Sequence, residues 1–258
     1  MKVLDTLAQA IRLPDLRQRF YFMLGAFAVF ILGRHIPLPG VDREMMARLF
    51  EHGGVVGLID IFSGGALRRF SIFALGIMPY INASIIMQLL TVALPQLEEL
   101  AKEGGEAGRR QIARYTRYLT VALAFVQGLG LTTWLRGLGI FEASVLTQMV
   151  ILIELTAGTS FLMWLGEELT EKGIGNGVSL IIFLGIMAAL PQEIWQTAQL
   201  ILTGAVTPFQ VFLLAAIFVF SMAGIIFIQQ GERRIPVQYA KRIIGNRMVG
   251  GASSYLPL

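Results

Sequence analysis

The sequence predicts an all-α, polytopic membrane protein with six transmembrane helices and one short re-entrant helix. Of its 258 residues, 55% are hydrophobic and only 15% are charged, whereas soluble domains average about 25% charged residues. Several apolar runs approach or exceed the roughly 20 residues that a helix needs to cross a bilayer core about 30 Å thick. One further apolar run, residues 55–62, is too short to cross and lies between Gly53-Gly54 and Gly64-Gly65.

The apolar runs and the loops between them organise residues 1–258 as a single membrane domain. Residues 1–19 alternate apolar and charged positions, with the apolar ones at helical spacing, which predicts an amphipathic cytoplasmic arm on the membrane face. Prolines, glycines or charged loops end most of the runs that follow. Gly76 and Pro79 lie inside the second run, so we expect a bent second helix. The predicted spans are residues 20–38, 70–92, 112–135, 143–165, 178–192 and 208–228, and residues 229–258 form a polar tail.

The short segment between the first and second spans, residues 53–67, has two interpretations. Irregular backbone at membrane depth is stable only where it is buried in protein or lines a wet cavity. The segment therefore fits a re-entrant stopper, hinged on glycines and packed beside a pore. The alternative is a short amphipathic helix on the membrane surface, and the residues alone leave the two nearly even.

The distribution of basic residues predicts the orientation of the chain. Six spans put both termini on one side, together with the loops at 96–111 and 166–177, and that side carries most of the lysines and arginines. The positive-inside rule then places both termini in the cytoplasm. Residues 53–67 would accordingly enter the membrane from the outer face.

The sequence has no pattern typical of catalysis or metal binding. It contains no cysteine, and its two histidines, His35 and His52, have no set of metal-ligating partners at useful spacing. The motifs of zinc proteases, α/β-hydrolases and P-loop nucleotide-binding proteins are all absent. We expect no enzyme activity, no metal and no cofactor.

Among the polar side chains within the predicted spans, three are candidates for a functional role. Glu154 is near the middle of the fourth span, where a carboxylate is a candidate for a proton- or ion-coupled site. The alternative is a protonated or hydrogen-bonded side chain at a helix interface, which the absence of partner charges on other spans favours. Gln88 and Gln127 could join helices by hydrogen bonds or line a polar seam.

Aliphatic side chains recur at a spacing of four residues on two of the spans. Ile77 and Ile81 lie on the second span, and Val178 and Ile182 begin the fifth. Such residues usually face lipid or the helix core. They could instead form a hydrophobic constriction, which blocks water and ions by dewetting.

The tail carries the basic stretch ERRIPVQYAKRIIGNR, residues 232–247. Paired basic residues of this kind suit an acidic partner, such as RNA phosphates or a protein surface. The alternative is an anchor to anionic lipid headgroups, although the length of the stretch favours a protruding loop.

Taken together, these features resemble the SecY family, the pore subunits of the bacterial protein-conducting channel. The resemblance covers essentially the whole chain, and the matching stretches occur in the order of the family. They are FSGGALRRFSIFALGIMPYINASIIMQLL (62–90), EGGEAGRRQIARYTRY (103–118), LMWLGEELTEKGIGNGVSLIIF (162–183) and ERRIPVQYAKR (232–242).

The resemblance implies a role for several of these residues. It implies a half-barrel of helices in which residues 53–67 are the plug that seals the closed pore. The implied plug residues are Val55, Val56, Leu58, Ile59, Ile61 and Phe62. The implied pore ring consists of Ile77, Ile81, Val178 and Ile182, where Val178 is smaller than the isoleucine often found there. Gln88 and Gln127 match polar positions of the lateral gate. The implied docking residues for the ribosome or the SecA ATPase are Arg109, Arg110, Arg233, Arg234, Lys241, Arg242 and Arg247.

The resemblance also implies partners, a location and a longer chain. Family members conduct unfolded secretory proteins across the bacterial cytoplasmic membrane and release membrane proteins laterally into it. The implied partners are the SecE and SecG subunits, the SecA ATPase, the ribosome, signal sequences, nascent chains and membrane lipids. The family has ten spans, so we expect a truncated or partial member. The competing hypotheses are a secondary transporter that uses Glu154 and a structural subunit without conduction.

Overall fold

A computed structural model of the chain describes residues 13–41, 45–46, 49–50, 60, 63–140, 144–232, 234–237, 242–244, 247–249 and 254–257. The chain forms two compact units, Met1–Ile194 and Trp195–Leu258. The helices with assigned bounds are α1 (Pro14–Gly33), α2 (Met78–Ala93), α3 (Pro95–Lys102), α4 (Gly105–Gly137), α5 (Val145–Lys172), α6 (Gly177–Leu202) and α7 (Pro208–Gln229).

Helix length and composition confirm the predicted all-α membrane fold. Among the described residues, α1, α4, α5, α6 and α7 are each long and apolar enough to cross a membrane. Helices α2 and α3 pass the same test as a pair that bends by 100° at Leu94. The predicted six spans are reached when this bent pair counts as one.

The helix bounds differ from the predicted spans mainly at polar ends. Most of the helices run beyond the apolar stretch, because helical backbone bonding continues in water whereas hydropathy marks only the lipid-facing part. Residues 13–19 of the predicted arm, for example, enter α1, and residues 1–12 lie outside the described part of the chain. The predicted second span differs in another way. Its helix begins at Met78 and not at residue 70. Pro79 lies in the first turn, where a backbone N–H would have no partner within the helix, so proline is tolerated there.

The tail contains short antiparallel strand pairs that the sequence did not predict. Strand β1 (Arg234–Val237) pairs with β4 (Ser254–Pro257), and β2 (Arg242–Ile244) pairs with β3 (Arg247–Val249). In the registers, Ile235 lies opposite Leu256 and Ile243 lies opposite Met248.

Helix α4 packs between α2 and α5 along a stripe of small buried residues. Thr116, Thr120, Ala124, Gly128 and Thr132 recur every four positions on its buried face. The three threonine hydroxyls donate to backbone carbonyls one turn earlier, at distances of 2.7 to 3.0 Å. Small side chains whose polar groups are already bonded within the helix allow close approach of neighbouring helices.

Residues 63–77 form an irregular segment of turns that is enclosed by helices. Its backbone is bonded to the chain that follows α1: the Leu38 amide donates to the Phe70 carbonyl at 2.8 Å, and the Ile72 amide donates to the Ile36 carbonyl at 3.1 Å. On the other side, the Ile72 carbonyl lies against Gly158 of α5, where a Cβ atom would overlap it. The irregular backbone is therefore supported by protein on both sides, as membrane depth requires.

A column of aromatic rings crosses this segment. Phe73 is stacked between Phe30 of α1 and Phe161 of α5, with ring centroids 6.0 Å apart in each pair. Phe161 also contacts the Trp164 ring at 5.6 Å. Stacked rings at these distances add to the stability gained from burial, so they help to hold the irregular segment between α1 and α5.

Two clusters of buried side chains form the core of the first unit. The Leu155 cluster joins the irregular segment to α4 and α5, and the Ile77 cluster joins it to α1, α5 and α6. The Leu155 cluster contains Leu38, Met46, Leu67, Phe70, Ala74, Leu135, Ile140, Ile151 and Leu155. The Ile77 cluster contains Ala26, Phe30, Ala66, Phe73, Ile77, Leu162, Leu165, Leu169 and Ile181.

Charged contacts join the polar ends of the helices. Arg19 of α1 donates to the carbonyl oxygen of Gly173 at 2.9 Å, at the C-terminal end of α5. A cation is favourable there because unpaired carbonyls make the end of a helix negative. Arg117 of α4 pairs with Glu167 of α5 at 2.9 Å. Both contacts fix the C-terminal end of α5, one to α1 and the other to α4.

The contact at Gly158 gives a test of this packing. We expect Gly158→Ala to destabilise the protein by about 1–3 kcal/mol, because the added methyl group overlaps the Ile72 carbonyl and the backbone must move. The matched control is Gly130→Ala in α4, where nothing lies within 4 Å of the added atom. The control should be neutral or slightly stabilising. Thermal unfolding in detergent measures both, and equal midpoints would contradict the packing described.

Candidate pore and stopper site

The structure brings the four predicted ring residues together at one cluster. Ile77, at the start of α2, is only 2% exposed and belongs to the Ile77 cluster. Ile81, Val178 and Ile182 are half-buried and pack against the same cluster. The spacing of four residues places each pair on one face of its helix. Both pairs contact the Ile77 cluster, to which α5 contributes Leu162, Leu165 and Leu169.

Gly166 of α5 lies against the side chains of Ile77 and Val178. A Cβ atom built on Gly166 would lie 3.2 Å from Cγ2 of Val178 and 3.6 Å from Cδ1 of Ile77. The side chains of α2 and α6 therefore converge over a position that has no side chain. Ile77 is covered by α5, whereas the other three residues keep part of their surface free.

The described end of the predicted stopper reaches both clusters. The predicted plug residues Val55, Val56, Leu58, Ile59, Ile61 and Phe62 lie outside the described residues. Of the rest, Ala66 is fully buried in the Ile77 cluster, and Leu67 is 5% exposed in the Leu155 cluster. The end of the segment thus lies beside the predicted ring.

Asp60 closes the turn at this end of the segment. Its Oδ1 accepts from the Arg68 amide at 2.9 Å and from the Ser63 hydroxyl at 3.2 Å. Its backbone carbonyl accepts from the Gly65 amide at 2.9 Å. Burial raises the pKa of Asp60, and the hydrogen bonds from Arg68 and Ser63 oppose that rise. Sequence reasoning missed this residue, although an isolated acid in an apolar, glycine-flanked segment was a usable signal.

Arg34 is a second residue that the sequence did not single out. It follows α1, is only 6% exposed, and its Nη2 lies 3.6 Å from the position of a Cβ atom on Gly65. Its Nε has no hydrogen-bond partner within the described part of the chain. A buried cation thus packs beneath the turn that Asp60 closes.

The two predicted gate residues line different cavities along the α2–α4 seam. Gln127 is half-buried beside Asn82 and Trp134 in a cavity of about 470 Å³. Gln88 is exposed, with its amide 3.5 Å from the Ser84 hydroxyl, and lines a cavity of about 330 Å³. The structure places both residues in one seam but does not join them in one site.

The predicted docking residues are divided between α4 and the tail. Arg109 and Arg110 are exposed at the start of α4, and Arg110 pairs with Glu106 at 3.3 Å. Arg234 begins β1, Arg242 begins β2 and Arg247 begins β3. Arg233 and Lys241 lie outside the described residues.

Within the described part of the chain, Glu154 forms no ion pair of the kind that a transport site needs. Its Oε2 is buried without a hydrogen-bond partner in the part of the chain that the structure describes. It lines an otherwise apolar cavity of about 490 Å³ between α1 and α5. The nearby hydroxyls of Thr156 and Ser160 donate to carbonyls of α5 instead. Among the described residues there is also no group of three or more metal-ligating side chains.

Apolar helices arranged around an enclosed irregular segment define a multi-pass membrane protein with the fold of a protein-conducting channel. The fold is similar to that of a solved protein-conducting channel, with a TM-score of 0.61, 19% identity, and coverage of 94% of this chain and 52% of that one. It is also similar to Sec61 in the canine ribosome-channel complex, with a TM-score of 0.59, 18% identity, and coverage of 86% and 50%.

Sequence comparison identifies the family. The SecY family profile matches residues 71–258. The protein translocase subunit SecY of Escherichia coli K12 is 47% identical over 95% of this chain, and that of Aquifex aeolicus is 46% identical over 95%. That of Streptomyces scabiei is 44% identical over 99%. The chain therefore belongs to the SecY family. It spans 57%, 59% and 62% of the length of these three relatives, respectively.

Asp60 gives a test of the turn and its electrostatics. Because burial raises the folded-state pKa above the ordinary value of 3.8, the native state holds the proton more tightly than the unfolded chain. Stability is then highest with Asp60 protonated and falls as the pH rises from 3.8 through the raised pKa. Asp60→Asn keeps the acceptor for Arg68 and removes the buried charge. It should raise the thermal midpoint at neutral pH, by an amount that shrinks towards pH 3.8.

The control for this test is Asp15→Asn, which changes an exposed carboxylate in the first turn of α1. It should give no gain at any pH. A lower midpoint for Asp60→Asn at neutral pH would show that the ionised carboxylate stabilises the turn, contrary to this expectation.

Proposed function

We propose that this chain forms one wall of a protein-conducting channel whose pore is closed by a hydrophobic ring and a stopper. The observation that carries the proposal is the convergence of Ile77, Ile81, Val178 and Ile182 on the cluster that also buries Ala66 of the stopper segment. The chain spans 57–62% of the length of the three SecY relatives, and the proposed facing wall corresponds to the part of those relatives that this chain does not match.

The proposed mechanism is gating without chemistry. Bulky aliphatic side chains at a narrow point exclude water and thereby ions. The half-buried state of Ile81, Val178 and Ile182 supports this role, because residues that face a lumen keep part of their surface free. A translocating polypeptide would separate the side chains and displace the stopper. The driving force is proposed to come from ribosomal synthesis or from the SecA ATPase.

The α2–α4 seam is proposed as one side of the lateral gate. Gln88 and Gln127 each line a cavity in this seam, so α2 and α4 are not closely packed around these two side chains. Signal sequences and nascent spans would reach lipid through it.

We propose that the ribosome and SecA dock on two basic regions of the chain, the start of α4 and the tail. The exposed Arg109 and Arg110 support this, as does the concentration of basic residues in the tail. The positive-inside rule favours a cytoplasmic position for these regions and for both observed termini, in a protein of the bacterial cytoplasmic membrane. SecE and SecG are proposed as the companion subunits.

Deletion of residues 56–64 tests the stopper. The experiment uses a chimera in which residues 1–258 are followed by the part of the Escherichia coli relative that this chain does not match, purified with the partner subunits. Removing the stopper should raise the resting ion conductance of reconstituted vesicles severalfold, because only the ring then obstructs the pore. The unmodified chimera is the control. An unchanged conductance in the deletion variant would reject the stopper.

Charge reversal at the start of α4 tests the docking surface. In the chimera, Arg109→Glu with Arg110→Glu should weaken ribosome binding about tenfold, which corresponds to about 1.4 kcal/mol. The matched control is Arg136→Glu, an exposed arginine at the opposite end of the same helix. Binding is measured by co-sedimentation, and equal losses in both variants would contradict a docking surface at the start of α4.

A further inference from the structure

We infer that Gly185 of α6 is a positioning residue that holds the stopper in place by direct backbone contact with Gly64. The inference rests on the proposed function, since it assigns to the stopper of that channel a contact that holds it. We call this contact between Gly185 and Gly64 the seat. It names a residue outside the ring, the plug segment and the gate.

The contact is a close approach of two glycines. A Cβ atom built on Gly64 would lie 2.8 Å from Cα and 3.1 Å from the carbonyl oxygen of Gly185. Gly64 has a φ of +68°, a conformation in which glycine carries no steric cost. Gly185 lies in the interior of α6 and is one of its buried residues. Gly64 therefore leaves no room for a side chain that faces Gly185.

The contact lies on the one buried stripe of α6. Gly177, Ile181 and Gly185 are the buried residues of this helix, spaced every four positions on a single face. At the first, a Cβ atom on Gly177 would overlap the Gly166 carbonyl of α5. The second, Ile181, lies in the Ile77 cluster with Ala66. The stripe therefore contacts α5 at one end and the stopper at the other.

Hydrogen bonds to Asp60 stabilise the turn at the end of the stopper, so we expect this turn to move together with Gly64. The carboxylate of Asp60 binds the Arg68 amide, and its carbonyl binds the Gly65 amide, both at 2.9 Å. The Ser63 hydroxyl donates to the same carbonyl at 2.9 Å. A shift of α6 at Gly185 is consequently passed to the whole turn from Asp60 to Arg68.

Gly185→Ala in the chimera tests the seat. The added methyl group should displace the stopper and raise the resting ion conductance of reconstituted vesicles severalfold. The thermal midpoint should also fall, as for Gly158→Ala, because the added methyl group crowds buried backbone. A lower midpoint without a rise in conductance would indicate a general packing defect and would overturn the seat. The matched control is Gly130→Ala, an open interior position of α4, which should change neither measurement.

Deletion of residues 56–64 in the same chimera separates the two proposals. If the deletion raises conductance and Gly185→Ala does not, the seat is overturned and the stopper stands. If neither raises it, the stopper fails and the seat fails with it. Gly185→Ala added to the deletion should give no further rise, since Gly64 is then gone, and an additive rise would overturn the seat. Should Gly185→Ala fail to assemble, Gly64→Ala tests the same contact from the stopper side with the same expected rise.

Discussion

The arrangement of the first unit depends on enclosing the irregular backbone of residues 63–77. Lipid offers no hydrogen bonds, so each backbone group in such a segment must find a partner or a covered position within the protein. The chain after α1 supplies partners at Ile36 and Leu38, and Gly158 of α5 lets the segment approach the helix closely. The positions of α1 and α5 on either side of the segment follow from this requirement, and both core clusters are built on its side chains.

Much of the fold could be predicted because lipid imposes long apolar runs, and such runs are visible without tertiary information. The bent α2–α3 pair and the late start of α2 were harder. Within an apolar run, Pro79 predicts a kink in a helix that has already begun. The backbone before it is not helical, however, since Gly76 and Phe70 have positive φ angles of 59° and 44°. The hydrophobic periodicity of the sequence does not reveal such angles. The strands of the tail are short, and their pairing depends on partners distant in sequence.

The sequence alone predicted only part of the ring and of the stopper. Spacing of four residues put Ile77 with Ile81 and Val178 with Ile182 on common faces, but only the resemblance to the family connected the two faces. The contacts that place both faces on one cluster involve Gly166 and Gly177, whereas Gly185 contacts the stopper at Gly64. A glycine in an apolar helix is a weak signal, because its meaning depends on which atoms of another element lie opposite. Asp60 and Arg34 escaped notice for a similar reason, since their burial is a tertiary property.

The aromatic column has a practical consequence. Phe73 belongs to the irregular segment, and its ring is linked through Phe161 to the indole of Trp164. The polypeptide thus places a natural fluorophore within two ring contacts of the backbone that would rearrange on opening. A displacement of Phe73 would change the surroundings of the indole, so the fluorescence of Trp164 would report it without an attached dye.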